Sequence, residues 1–339
     1  MGVSLRSRRA LVVLAVLVSA AFAVAFAGGV DSSHAASKKK QFTIGYVPPT
    51  VAPFEVAWRK GIQLQAKKYG MKVVIAGGQL DPKVQIAAVK TLLTRGIDAL
   101  AIIPLDEKSI KPVLDEVKAK HIPIVVYDAA KTTYDVNFKA NDLEATQVLA
   151  KYAAKKAGKP CKVGIMQGFQ VVPILKRRAD GYKKGATDAG CQILDVQTDQ
   201  DDTTQKATEI AQAWRTRFGK DMNVVLANND PYALSVVAQS TGDFHPVIVG
   251  MNGDANAITA IKQGRLAASA ALLSPELGNA QVYAAWQLLH HKKVPRTINA
   301  PYKIITKANV NTYKSYAERL RAPMTVSFKG GLLTTKLGR

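Results

Sequence analysis

From residue 41 onward, short apolar runs alternate with longer stretches of helical period. FTIGYV (42–47) predicts a strand and 54–69 a helix, on which Phe54, Trp58, Ile62, Ala66 and Tyr69 line one face. KVVIAG (72–77), DALAII (98–103) and IPIVVYD (122–128) predict further strands. A helix begins at Asp81-Pro82, where proline sits in the first turn and no amide donor is needed, and another covers 107–120. A second series starts near Ala140. Its helices are 142–157, 172–189, 203–218, 231–240, 254–262 and 275–291, alternating with strands 162–167, 192–197, 223–228, 246–250 and 266–272. Strands separated by single helices predict βαβ units. The fold class is therefore α/β, with two doubly wound parallel-sheet lobes and a chain that passes between them more than once.

The N-terminus breaks this pattern. Arg6, Arg8 and Arg9 precede an apolar run of 17 residues from Leu11 to Ala27, and small residues follow, with Ala27 and Ala35 as cleavage points. Residues 1–35 are expected to be a signal peptide, with Ser-Arg-Arg at 7–9 resembling a twin-arginine signal, and 36–40 to be linker. A permanent single-pass anchor is the competing reading, although the run is at the short limit for a bilayer. No Cys follows the apolar run, so no lipid attachment point is present there. The protein is expected to be exported, to the periplasm or the cell surface.

The formal charge is +22, and three Arg and one Asp lie in residues 1–35, leaving +20 for the rest. The lysines are spread along helices, as in KYAAKKAGK (151–159), rather than interleaved with aromatics, so nucleic acid is not the expected partner. Solubility and attraction to an anionic surface are. Cys161 and Cys191, the only cysteines, each start a predicted strand on either side of one helix. Neighbouring parallel strands in an oxidising compartment predict a disulfide between them. The five histidines have no metal-ligand spacing, and no C-x-x-C, nucleophile elbow or phosphate loop occurs. No enzyme activity, metal or cofactor is expected.

Polar and aromatic residues gather where strands end or helices begin, the positions that face a ligand crevice in an open α/β sheet. They fall in PFEVAW (53–58), PIVVYD (123–128), KRRADGY (176–182), VLANND (225–230) and VIVGMNGD (247–254). In this order, and with RGIDALAIIP (95–104) and GRLAAS (264–269), the chain resembles the periplasmic sugar-binding proteins of the ribose-binding type over about 41–305. These are solute receptors of ABC importers. The resemblance implies a type I periplasmic binding architecture with three hinge crossings. The N-terminal lobe would be 41–142 plus 273–301, the C-terminal lobe 143–272 plus 302–317, and 318–339 a loosely packed basic tail. It implies a monomer that closes over a sugar, deoxysugar or polyol and docks on a membrane permease. A sensory receptor for a chemoreceptor or histidine kinase, or a receptor for a small carboxylate, is the alternative.

Carried over position by position, Phe54 would stack on the ligand, Asp128 accept from two hydroxyls, Arg178 donate from the opposite wall, and Asn229 supply an amide. Glu55, Asp201, Met251 and Asn252 complete the candidate set. The chain departs from the family where Pro48 and Ala52 replace a hydroxyl and an amide, and where Ala129 replaces an arginine. Asp201 stands for an aromatic wall, Asn252 for a carboxylate and Leu272 for a polar hinge residue. The first lobe's side of the cleft is therefore expected to be more apolar than the family's.

Overall fold

The computed structural model describes residues 41–338, so the expected signal peptide and linker lie outside the described residues. The chain begins with β1 (Thr43–Val47), α1 (Pro53–Lys68), β2 (Lys72–Ile75), α2 (Pro82–Thr94), β3 (Ala99–Ile102), α3 (Glu107–Ala119), β4 (Ile124–Tyr127) and β5 (Val136–Ala140). It continues through α4 (Asp142–Ala157), β6 (Lys162–Gln167), α5 (Pro173–Asp188), β7 (Gln192–Thr198), α6 (Thr204–Phe218), β8 (Val224–Ala227) and α7 (Asp230–Gln239). Next come β9 (Val247–Asn252), α8 (Ala255–Lys262), β10 (Ala268–Ala271), α9 (Ser274–Leu289), β11 (Thr297–Ala300) and β12 (Lys303–Thr306). The chain ends with α10 (Tyr316–Arg321), β13 (Met324–Ser327) and β14 (Thr334–Leu337).

Two six-stranded sheets result, ordered β11-β5-β4-β3-β1-β2 and β12-β10-β9-β8-β6-β7. Every pairing in them is parallel except β10 with β12. Helices start where short polar side chains cap them: the Asp81 carboxylate accepts from the Lys83 amide at 2.7 Å, and the Thr203 hydroxyl from that of Lys206 at 3.2 Å. Each sheet is covered on both faces. In the first lobe, Trp58 and Ile62 of α1 pack with Leu277 and Ala280 of α9, while Leu92 of α2 meets Val113 and Leu114 of α3 on the other face. In the second, Leu149 and Tyr182 build one core, and Trp214, Tyr232 and Ile258 the other. Burial on both faces explains why strands such as ALAI and VVLA are continuously apolar.

The chain crosses between the sheets at Asn141, at Leu272-Leu273 and at Pro301-Tyr302, the three crossings expected. β5, β11 and β12 flank these crossings and were not separated from loop in the sequence pattern, because polar residues interrupt each short run, as in VNFKA, TINA and KIIT.

Residues 318–338 correct the expectation of a loosely packed tail over 318–339. They are not a loose tail: α10 packs on α1 and α9, and β13 and β14 form an antiparallel hairpin against the first lobe. Met324, Val326 and Leu333 enter that lobe's core, and Arg319 pairs with buried Glu276 at 3.0 Å. The short alternation in MTVS, surrounded by Lys and Arg, was outweighed by the charge count.

Cys161 and Cys191 are bonded across the starts of β6 and β7, closing a loop with a sequence separation of 30. Replacing both by Ser should lower unfolding stability by about 3.5 kcal/mol on the loop-entropy argument. Urea denaturation with the midpoint lowered and the slope somewhat steeper, because the uncrosslinked unfolded chain exposes more surface, is the expected result.

Candidate functional site

A cavity of about 420 Å³ lies between the lobes, lined from the carboxyl ends of the strands in both sheets. The first lobe contributes Pro49, Val51, Phe54, Leu80, Ile103 and Leu105, with the ring of Tyr127. Thr50 supplies its one aliphatic hydroxyl. From the second lobe, Val172, Ile174 and Leu175 add apolar surface, whereas Arg178, Asp202, Asn229, Tyr232 and Asn252 add polar groups. The first-lobe wall is mostly apolar; Ala52 and Leu272 line the cavity, whereas Ala129 does not.

Arg178 is held from three sides. Its Nε donates to Asp142 Oδ1 at 2.8 Å, and its Nη1 donates to the Asn228 carbonyl and to Asn252 Oδ1, both at 3.1 Å. Among the described residues Nη2 has no hydrogen-bond partner, and the side chain is on the cavity wall. The geometry depends on Gly181, three residues further along α5: a Cβ there would lie 2.0 Å from Thr146 Oγ1 and 2.4 Å from the Leu143 carbonyl. Only glycine lets α4 and α5 approach closely enough for Asp142 to reach the guanidinium. Asp142 Oδ1 also accepts from the Tyr302 hydroxyl, so the first and third crossings meet at this carboxylate.

Asp128 is placed differently from the expectation. It is outside the cavity lining, and its carboxylate is met by Nη2 of Arg177 from the second lobe, a nitrogen that also donates to the Asp128 carbonyl at 3.2 Å. The reason lies in the backbone: Asp128 has φ 55°, which turns its side chain away from the path of Tyr127. Burial, then the neighbouring Asp142, pushes its carboxyl up to about 7, against the pull of Arg177. The expected opposite-wall pair is therefore reduced to Arg178, with Asp128 taken up by the adjacent arginine.

Phe54, Asn229 and Asn252 line the cavity as anticipated. Asn229 also caps α7, its Oδ1 accepting from the Tyr232 amide at 2.9 Å. Asp201 is exposed and its amide donates to Asp199 Oδ1, whereas Asp202, one residue on, turns inward at φ 52°. Asp202 Oδ1 accepts from Asn229 Nδ2 at 3.2 Å and from the Tyr232 hydroxyl at 2.9 Å, and burial raises its pKa. Met251 is fully buried in the second lobe's core, because strand alternation points it away from the face that Asn252 presents. Glu55 is buried behind the wall, its Oε2 accepting from the Tyr46 hydroxyl at 2.7 Å. Tyr232 and Tyr127 were missed, and of the adjacent acids Asp201 and Asp202, each readable as ligand contact or helix cap, the wrong one entered the candidate set. Tyr232 had a signal, lying three residues after a helix-capping Asn, but Asp202 was separable from Asp201 only by the turn. Among the described residues there is no group of three or more His, Cys, Asp or Glu that could hold a metal.

The family described as periplasmic binding protein domain matches residues 44–293. This chain belongs to the periplasmic binding proteins. It is 32% identical over 273 residues to the ribose import binding protein of Bacillus subtilis (strain 168), covering 79% of this chain and 88% of that one. It is 25% identical over 229 residues to the xylitol-binding protein of Mycolicibacterium smegmatis, covering 65% of this chain and 64% of that one. An ABC transporter solute-binding protein from Mycobacterium smegmatis, solved with bound glycerol, superposes with a TM-score of 0.75 at 23% identity. That match covers 82% of this chain and 99% of the other. In a periplasmic binding protein, an interlobe cavity with its polar groups on a rigid second lobe can grip a solute as the lobes close.

Glu55 gives this periplasmic binding protein a pH signature. Burial pushes its carboxyl up to about 8. The folded protein thus keeps a proton that the unfolded chain loses at ordinary carboxylate pH, so this group's contribution to stability falls as pH rises from about 4.5 to about 8. Glu55→Gln keeps the acceptor for Tyr46 and cannot ionise. Urea denaturation should find it more stable than the parent by about 1 kcal/mol or more near about pH 8.5, and equal to it only near about pH 3.5, below both pKa values.

Proposed function

We propose that the protein is an exported, monomeric receptor that closes over a small polyhydroxylated solute, a sugar or polyol, and delivers it to the permease of an ABC importer. Arg178 carries this reading: it is rigidly held beside the hinge, with one nitrogen left for a guest in the cavity. A guanidinium donating to ring or hydroxyl oxygens forms charge-assisted bonds stronger than neutral ones. Asp202, with Oδ2 unengaged, offers an acceptor on the same lobe, and Phe54 an aromatic face for the C–H side of the ring. Relatives named for ribose import and for xylitol binding support the same solute class. The lysine-rich surface suits a protein retained near an anionic cell surface.

Thermal-shift screening against pentoses, pentitols, deoxysugars and small carboxylates tests the reading. A specific solute at about a hundred times its Kd stabilises by about 2.7 kcal/mol and raises Tm by several degrees. Arg178→Ala should weaken the solute found by calorimetry about thirtyfold or more, because a desolvated polar partner is left unpaired. A shift with carboxylates alone would replace the sugar by an acid, and no shift with any of these classes would overturn the reading.

A further inference from the structure

We infer that the solute carries an apolar flank, an alkyl or aryl substituent on a polyhydroxylated ring, and that Leu80, Ile103 and Leu105 of the first lobe select for it. The inference rests on the receptor reading above and adds the ligand's shape and polarity. Its first ground is the uneven placement of polar groups with valences to spare. Arg178 Nη2, Asp202 Oδ2 and Asn252 Nδ2 make no hydrogen bond with the described residues and belong to the second lobe, whereas the first lobe's lining offers only the hydroxyls of Thr50 and Tyr127. The carboxylate that the first lobe has at the cleft, Asp128, is occupied by Arg177 and lies outside the lining. A solute with hydroxyls on every side would bury several against aliphatic carbon, each unpaired one costing roughly 1–3 kcal/mol.

The second ground is Leu80. It has φ 54°, a left-handed conformation that an ordinary side chain adopts at a cost of roughly 1–2 kcal/mol and that Asn or Gly adopts readily. Its amide donates to the Pro49 carbonyl at 2.9 Å, which fixes the turn, and its side chain lines the cavity. A leucine held in that backbone against its own preference places apolar surface at a first-lobe turn where an amide side chain would fit more easily. The third ground is size. About 420 Å³ lies within the range of roughly 300–1,000 Å³ typical of drug-sized ligands and leaves room beyond a free pentose. Ile174 from the second lobe packs beside Phe54 against the first lobe's core, so apolar surface continues across the gap.

Calorimetry with D-ribose, xylitol and the methyl, propyl and phenyl β-D-ribosides tests this on the full folded protein. Affinity should rise about three- to fourfold per added methylene, the change expected from about 0.8 kcal/mol per buried group, with the phenyl riboside tightest. Leu80→Asn should fold with an equal or higher Tm and weaken the phenyl riboside at least fivefold more than it weakens D-ribose or xylitol. Binding of ribose or xylitol with the substituted ribosides weaker would overturn the apolar flank and leave the receptor reading standing. Equal loss for substituted and free sugars in Leu80→Asn would overturn selection by that residue. Failure of every probe to bind would overturn the apolar-flanked ring, and the receptor reading with it only if the wider thermal-shift screen also gives no shift.

Discussion

Arg178 has almost no contact with solvent, and a guanidinium in that position must be met by acceptors from the protein or it destabilises the fold. Asp142 supplies the charge, and the Asn228 carbonyl and Asn252 amide oxygen supply the rest. Those three partners come from the first hinge crossing, the end of β8 and the end of β9, so one side chain pins the hinge to the floor of the cleft. The bare helix contact at Gly181 exists to allow it. Tyr302, donating to the same Asp142 oxygen, brings the third crossing into the arrangement. Any guest that touches Arg178 is therefore in contact with the machinery on which lobe rotation turns.

The two arginines of α5 divide their work. Arg178 is fixed within its own lobe, whereas Arg177 reaches over to Asp128 and joins the lobes directly. That ion pair is partly open to water, so its contribution is modest compared with the buried one. Its larger effect is compositional: it removes the first lobe's carboxylate from the cavity and leaves that wall to aliphatic side chains.

The alternation of strands and helices made the doubly wound lobes legible, since nearly every strand buried on both faces is a continuous apolar run. Phe54, Arg178, Asn229 and Asn252 were legible because each sits at a strand end or a helix start. Asp128 was misplaced because a left-handed φ at a strand end leaves no trace in the apolar pattern. Asp202 was confused with Asp201 for the same reason, and Met251 because its register on β9 depends on one residue of phase. Glu55 lies next to a wall residue in sequence, yet the helix turn carries it behind the wall to Tyr46. The C-terminal hairpin was hidden by its charges, which ring a narrow apolar stripe.

That hairpin changes how the lobes can part. After β12 completes the second sheet, the chain returns to the first lobe, and on the way the Tyr316 hydroxyl donates to the Asn252 carbonyl while Arg319 grips Glu276. The returning segment thus runs as a strap beside the pivot, anchored at the cavity floor on one end and stitched to the opposite lobe on the other. A door hung this way has one more attachment beside its pivot, and one end of that attachment is Asn252, which also lines the cavity.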